Sequence, residues 1–156
     1  MLQRPQSLLL LLTAICMILF LATPVWHKVG VGEEAILNPY YLIHLKGSLA
    51  AVSKPVYYLA VMAVFSAGVS IFTIFQYKNR VRQMLYVALN SLIGAGLLGA
   101  TVYHIQFEGT RFFAPETQGE FGIGFWAAFV ALAANWVANR LIRRDEKTVR
   151  DADRMR

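Results

Sequence analysis

Three histidines, His27, His44 and His104, carry the most versatile chemistry in this chain, because a neutral imidazole ligates metals and a protonated one adds charge near neutral pH. In the topology argued below all three fall on the outer side of a membrane. Converging rings there would make a metal site, and His27 facing His104 across a helix bundle would make a haem site. Their spacing favours neither. No two stand at the i, i+4 separation of a helical zinc pair, and His27 and His104 sit at membrane boundaries where an amphipathic ring is comfortable. The outer acids Glu33, Glu34, Glu108, Glu116 and Glu120 offer carboxylates, but a solvated loop surface is their commoner use. The chain holds no phosphate-binding glycine loop, no Gly-x-Ser-x-Gly elbow and no His-Glu-x-x-His motif. These motifs lead us to expect no catalytic residue, cofactor or metal. The single cysteine, Cys16, lies within an apolar run, which excludes an internal disulfide and predicts a buried, inert thiol.

The elements that position these residues are apolar. Some 57% of the 156 residues are hydrophobic and 15% charged, the charges clustering between long uncharged runs, so the composition points away from a soluble domain and towards a bilayer. Four runs reach the roughly 20 residues that span ~30 Å of hydrocarbon: 7–26, 55–77, 84–105 and 121–139. None contains a charge, which weighs against an ion pump, a proton relay or a voltage sensor. The first run, behind Arg4, also resembles a secretory signal, but Phe20 and Pro24 flank Ala22 badly for cleavage, and an uncleaved anchor is expected.

Orientation follows from the basic residues of the short loops. With both termini cytoplasmic, Arg4, Lys78, Arg80, Arg82, Arg140, Arg143, Arg144, Lys147, Arg150, Arg154 and Arg156 lie inside, against Lys28, Lys46, Lys54 and Arg111 outside. The net charge of +6 then reads as attraction to anionic headgroups, and nucleic acid is not an expected partner. The predicted fold class is all-α, an antiparallel four-helix membrane bundle forming a single domain. The outer segment 27–54, with Ala35-Ile36-Leu37 and Tyr40-Tyr41-Leu42-Ile43 on either side of Asn38-Pro39, predicts a small β-hairpin cap, although an interfacial helix also suits Tyr40 to Leu45. The second outer segment, 106–120, reads as an irregular turn, and the tail 140–156 as an exposed helix with Glu146 to Arg150 and Lys147 to Asp151 at pairing distance.

Lipid tails give apolar side chains no reason to leave them, so small residues and hydrogen bonds must hold such a bundle together. Ala95 with Gly99, Gly96 with Ala100, Ser66 with Ser70, and Ala127, Ala131, Asn135 and Asn139 mark candidate packing faces, within the chain or against a second copy. Counted along their helices from the cytoplasmic side, Asn90 and Asn135 differ in depth by only ~3 Å, which predicts an amide pair acting as a packing clamp. A polar path for a solute would have only Asn90, Asn135, Ser66, Ser70 and Thr101 to line it.

Two stretches carry a resemblance: Met1-Leu2-Gln3-Arg4-Pro5-Gln6-Ser7, and the close from Ala138 through Arg143-Arg144-Asp145-Glu146-Lys147 to Arg156, with Lys78-Asn79-Arg80, Gln83 and Asn90 between them. The chain resembles an uncharacterised family of small four-helix membrane proteins of the Bacteroidota, a domain of unknown function. The resemblance implies a bacterial inner-membrane location and brings no activity, ligand or catalytic residue. The expected function is a non-catalytic inner-membrane scaffold or accessory subunit. Lys78, Arg80, Arg82, Arg143, Arg144, Lys147 and Arg150 would dock a protein partner, a second copy or membrane lipid. The alternative is a small redox or metal-binding subunit using the outer histidines.

Overall fold

The first apolar run forms helix α1, Pro5–Ala22, and stops at Thr23-Pro24, where proline removes a backbone donor and disfavours the helical conformation of the residue before it. The computed structural model describes residues 5–47, 49–76, 79–113 and 119–154, with side-chain surroundings defined up to Thr148 except at Ala50 and Ala51. Helices α2, Tyr57–Phe75, α3, Arg80–Phe107, and α4, Ile123–Arg154, follow. Each of the four is long and apolar enough to cross a membrane. α1 packs on α2 and α4, and α3 packs on the same two, so the helices form a ring in chain order. Asn79 caps α3, its side-chain oxygen accepting the Arg82 N–H at 3.3 Å. The third helix therefore begins four residues before the apolar run, with Arg80 and Arg82 in its first turn.

The bundle encloses polar side chains among its apolar core and turns large apolar ones outward. Ser66, Ser70, Thr73, Asn90, Thr101 and Asn135 are buried, whereas Leu92 and Phe75 are both 72% exposed. An envelope of this kind suits hydrocarbon and is unstable against water.

The all-α assignment is overturned by a five-stranded antiparallel sheet that covers one end of the bundle. Its strands are β1, Trp26–Val29, β2, Glu33–Leu37, β3, Tyr41–Lys46, β4, Leu49–Pro55, and β5, Glu120–Phe121, in the order β4-β3-β2-β1-β5. Gly32 (φ 76°) and Gly47 (φ 64°) reverse the chain in the left-handed region, and the Asn38 N–H closes the middle turn on the Tyr41 carbonyl at 2.9 Å. Residues 40–45, equally suited by composition to an interfacial helix, lie mainly in β3. A lone hairpin is marginal in water, and strands of 4 to 7 residues gain stability only by adding further strands and packing on helices. The junction of segment 106–120 with the fourth apolar run, expected as an irregular turn, supplies the last strand. After a single 3-10 turn, Gly109–Arg111, the chain returns so that Phe121 pairs with Trp26 and Glu120 with His27.

One core joins sheet and helices: Trp26, Leu37 and Leu42 pack with Phe20, Leu59, Ala63, Leu97, Ile105 and Ala128. Trp26 is 0% exposed, and a Cβ at Gly119 (φ 71°) or Gly109 would stand 2.7 or 2.8 Å from its ring, so both positions require glycine. A second cluster, Leu10, Val87, Ala138 and Ile142, fills the opposite end, from which α4 continues as the tail. We call these the sheet end and the tail end.

Candidate functional site

The sheet end gathers the imidazoles and carboxylates but does not bring the histidines together. The last turn of α3 places His104 and Glu108 one turn apart, and Nδ1 of His104 lies 2.9 Å from Oε2 of Glu108. On its other side Nε2 meets the hydroxyl of Tyr58 from α2, and the second oxygen of Glu108 receives Nζ of Lys54 from β4 at 2.5 Å. Glu108 orients the ring with the proton on Nδ1, which leaves Nε2 to accept the phenol proton. The Lys54 ammonium is held above its ordinary range by this hydrogen bond. The array ties a strand and two helices together.

His44 sits elsewhere, 3.3 Å from Oε2 of Glu33 and stacked on Phe112 and Phe113 at 4.9 and 5.7 Å. His27, half-buried on β1, pairs across the strands with Ile36 and Glu120. Both nitrogens of His104 are engaged, by Glu108 and Tyr58. Among the described residues no three metal-ligating side chains group together.

Lys28, counted from sequence only as an outside charge, is interior. It is 1% exposed, and its ammonium donates to the carbonyls of Phe113 (2.5 Å) and Thr110 (3.1 Å) while lying 4.9 Å from the centre of the Phe113 ring. Burial pushes its pKa down. The lysine straps the segment after α3 onto the sheet. The signal was present in the alternation of Trp26-His27-Lys28-Val29, which puts Lys28 on the buried face of Trp26, but a lysine in a loop-length segment reads as solvated. The i, i+4 spacing of His104 and Glu108 was likewise visible, whereas Tyr58 and Lys54 come from other elements.

Within the bundle Nδ2 of Asn90 donates to Oδ1 of Asn135 at 3.2 Å and to the Ser70 hydroxyl at 2.8 Å. Nδ2 of Asn135 donates to the Ser91 hydroxyl (2.7 Å) and the Val87 carbonyl (2.9 Å). These bonds link α2, α3 and α4 at one level, the work of a clamp. The small residues divide: Ala131 is fully buried, and Gly96 faces Met62 of α2, where a Cβ would lie 3.2 Å from its methyl. Gly99 is exposed with open space beside it, so it is no seam within the chain. The buried seam glycine is Gly94, against Leu132. Thr101 bonds only its own helix, at the Leu97 carbonyl, and joins no polar path with the amides.

At the tail end Arg80 donates to the Asp145 carbonyl at 3.2 Å and so braces the start of α3 against the emerging tail. Arg82, Arg143, Arg144 and Lys147 are exposed. Lys78 and the side chain of Arg150 lie outside the described residues. Beside this surface a cavity of about 310 Å³ is lined by Trp136, Asn139, Arg140 and Arg143.

The family model of DUF4293, a domain of unknown function, matches residues 2–155, and the chain belongs to that family. No curated protein matches it.

Proposed function

For this member of the DUF4293 family we propose a non-catalytic scaffold or accessory subunit of the bacterial inner membrane. In this reading both termini are cytoplasmic, the sheet stands outside, and the tail end docks a protein partner or anionic lipid. The observation that carries it is α4, which continues for 32 residues without a break from the apolar bundle into the charged tail. From Asn139 to Arg154 it reaches ~22 Å beyond the apolar layer at 1.5 Å per residue, a rigid handle braced by Arg80. Orientation rests on the count of basic residues, eleven on the side of the termini against four on the side of the sheet. The redox or metal alternative finds no support in three histidines that lie apart.

Two measurements test the proposal. In sealed vesicles, residues near Lys46 and Lys147 should be labelled from opposite sides. Truncation after Arg144 should release the proteins or anionic lipids that co-purify with the intact chain in mild detergent. An unchanged set of both would overturn the docking role.

A further inference from the structure

We infer that the cavity at the tail end of α4 binds the phosphate of an anionic phospholipid whose headgroup carries a hydroxyl, phosphatidylglycerol being the simplest. The inference deepens the docking role and rests on the reading of the tail end as cytoplasmic.

Trp136, Asn139, Arg140 and Arg143 are spaced i, i+3, i+4 and i+7 and form one stripe of α4 around about 310 Å³ of space. The stripe lies where the helix leaves the apolar layer. One residue before it, Asn135 is 1% exposed within the amide clamp; beyond Val137, exposed side chains change from apolar to charged. A headgroup belongs at this level.

The donor set selects the ligand. Two guanidinium groups and an indole N–H can only donate, so they ask for an acceptor-rich anion, and paired arginines match phosphate oxygens in bidentate fashion. Among the described residues neither Arg140 nor Arg143 has a carboxylate partner. The buried carboxamide oxygen of Asn139 accepts no hydrogen bond among those residues, and a headgroup hydroxyl would supply one. A lipid is favoured over free phosphate because the stripe runs on towards the sheet end as an exposed apolar track, Phe129, Ala133 and Trp136, along which an acyl chain can lie.

The test uses full-length, delipidated protein in mild detergent, with native mass spectrometry as the readout and phosphatidylglycerol, phosphatidic acid, phosphatidylethanolamine and inorganic phosphate titrated separately. Phosphatidylglycerol should saturate at one tight site, at least tenfold stronger than phosphatidylethanolamine. Arg140→Gln with Arg143→Gln should remove that tenfold advantage, and Asn139→Ala should narrow the preference over phosphatidic acid. Arg144→Gln with Lys147→Gln, outside the cavity, should change binding less than twofold. If the paired variant fails to fold, Arg143→Lys alone, which keeps the charge but loses the fork, should weaken binding several-fold. Equal binding of phosphatidylglycerol and phosphatidylethanolamine, or full binding by the arginine variants, overturns the site. Inorganic phosphate binding as tightly as phosphatidylglycerol overturns the lipid. Truncation after Arg144 keeps all four cavity residues, and binding in detergent is indifferent to sidedness. Failure of the tail or of the topology is therefore read separately from failure of this site.

Discussion

The two ends of the bundle use charge in opposite ways. At the sheet end Lys28 is fully enclosed by backbone carbonyls and an aromatic ring, and Lys54, Glu108 and His104 satisfy one another. At the tail end Arg82, Arg143, Arg144 and Lys147 stand exposed. Charge on buried, partnered groups holds a fold together, while charge left in water or at headgroups costs little to keep and is available for binding. On the proposed reading the sheet end serves structure and the tail end contact, although sequence alone draws attention to the histidines of the former.

Substitutions can break or sharpen this contrast. Trp26→Ala should have the largest effect, a loss of about 3–5 kcal/mol, because it empties the site where sheet and helices share a core. Thermal unfolding in mild detergent would read it, and a shift no larger than that of a surface variant would break the claim that sheet and bundle are one unit. Lys28→Met keeps the side-chain length but strands the carbonyls of Thr110 and Phe113, so about 1–3 kcal/mol should be lost. A neutral result would show the ammonium to be dispensable. Asn90→Leu and Asn135→Leu, combined in a double-mutant cycle, should show a coupling of about 0.6–2 kcal/mol. Strict additivity would mean that the two amides do not clamp.

The remaining expectations concern charged side chains. Glu108→Gln removes the carboxylate charge whose hydrogen bond and field raise the Lys54 pKa, so the amine loses its proton at lower pH. Lys54 acylation near pH 9 should then quicken relative to the intact chain. An unchanged rate would separate Lys54 from the array. Replacing Arg143, Arg144 and Lys147 by glutamine should alter stability least, within about 0.5 kcal/mol, while weakening partner retention. A large loss of stability would erase the difference between the two ends.

Much of the helical half was legible. Uncharged runs located all four helices, and counting depth along two of them brought Asn90 opposite Asn135 without knowledge of the packing. The β2–β3 hairpin about Asn38-Pro39 was legible, but the full sheet was not, because its strands are short and mutually dependent: β5 has only two residues, Glu120 and Phe121, and exists through pairing with β1. At the candidate sites, Arg143 was visible as a basic residue, whereas the cavity it shares with Trp136, Asn139 and Arg140 arises only when a helix carries all four past the apolar layer.

By itself the sequence determined which stretches seek hydrocarbon, since twenty uncharged apolar residues have few other stable homes, and it determined at which end positive charge collects. Tertiary structure alone decided that His27, His44 and His104 stay apart, that Lys28 is interior, and that two outer segments merge into one sheet. Those outcomes depend on partners far along the chain, such as Thr110 and Phe113 for Lys28 and Phe121 for Trp26, and no local preference of a side chain records who its distant neighbour will be.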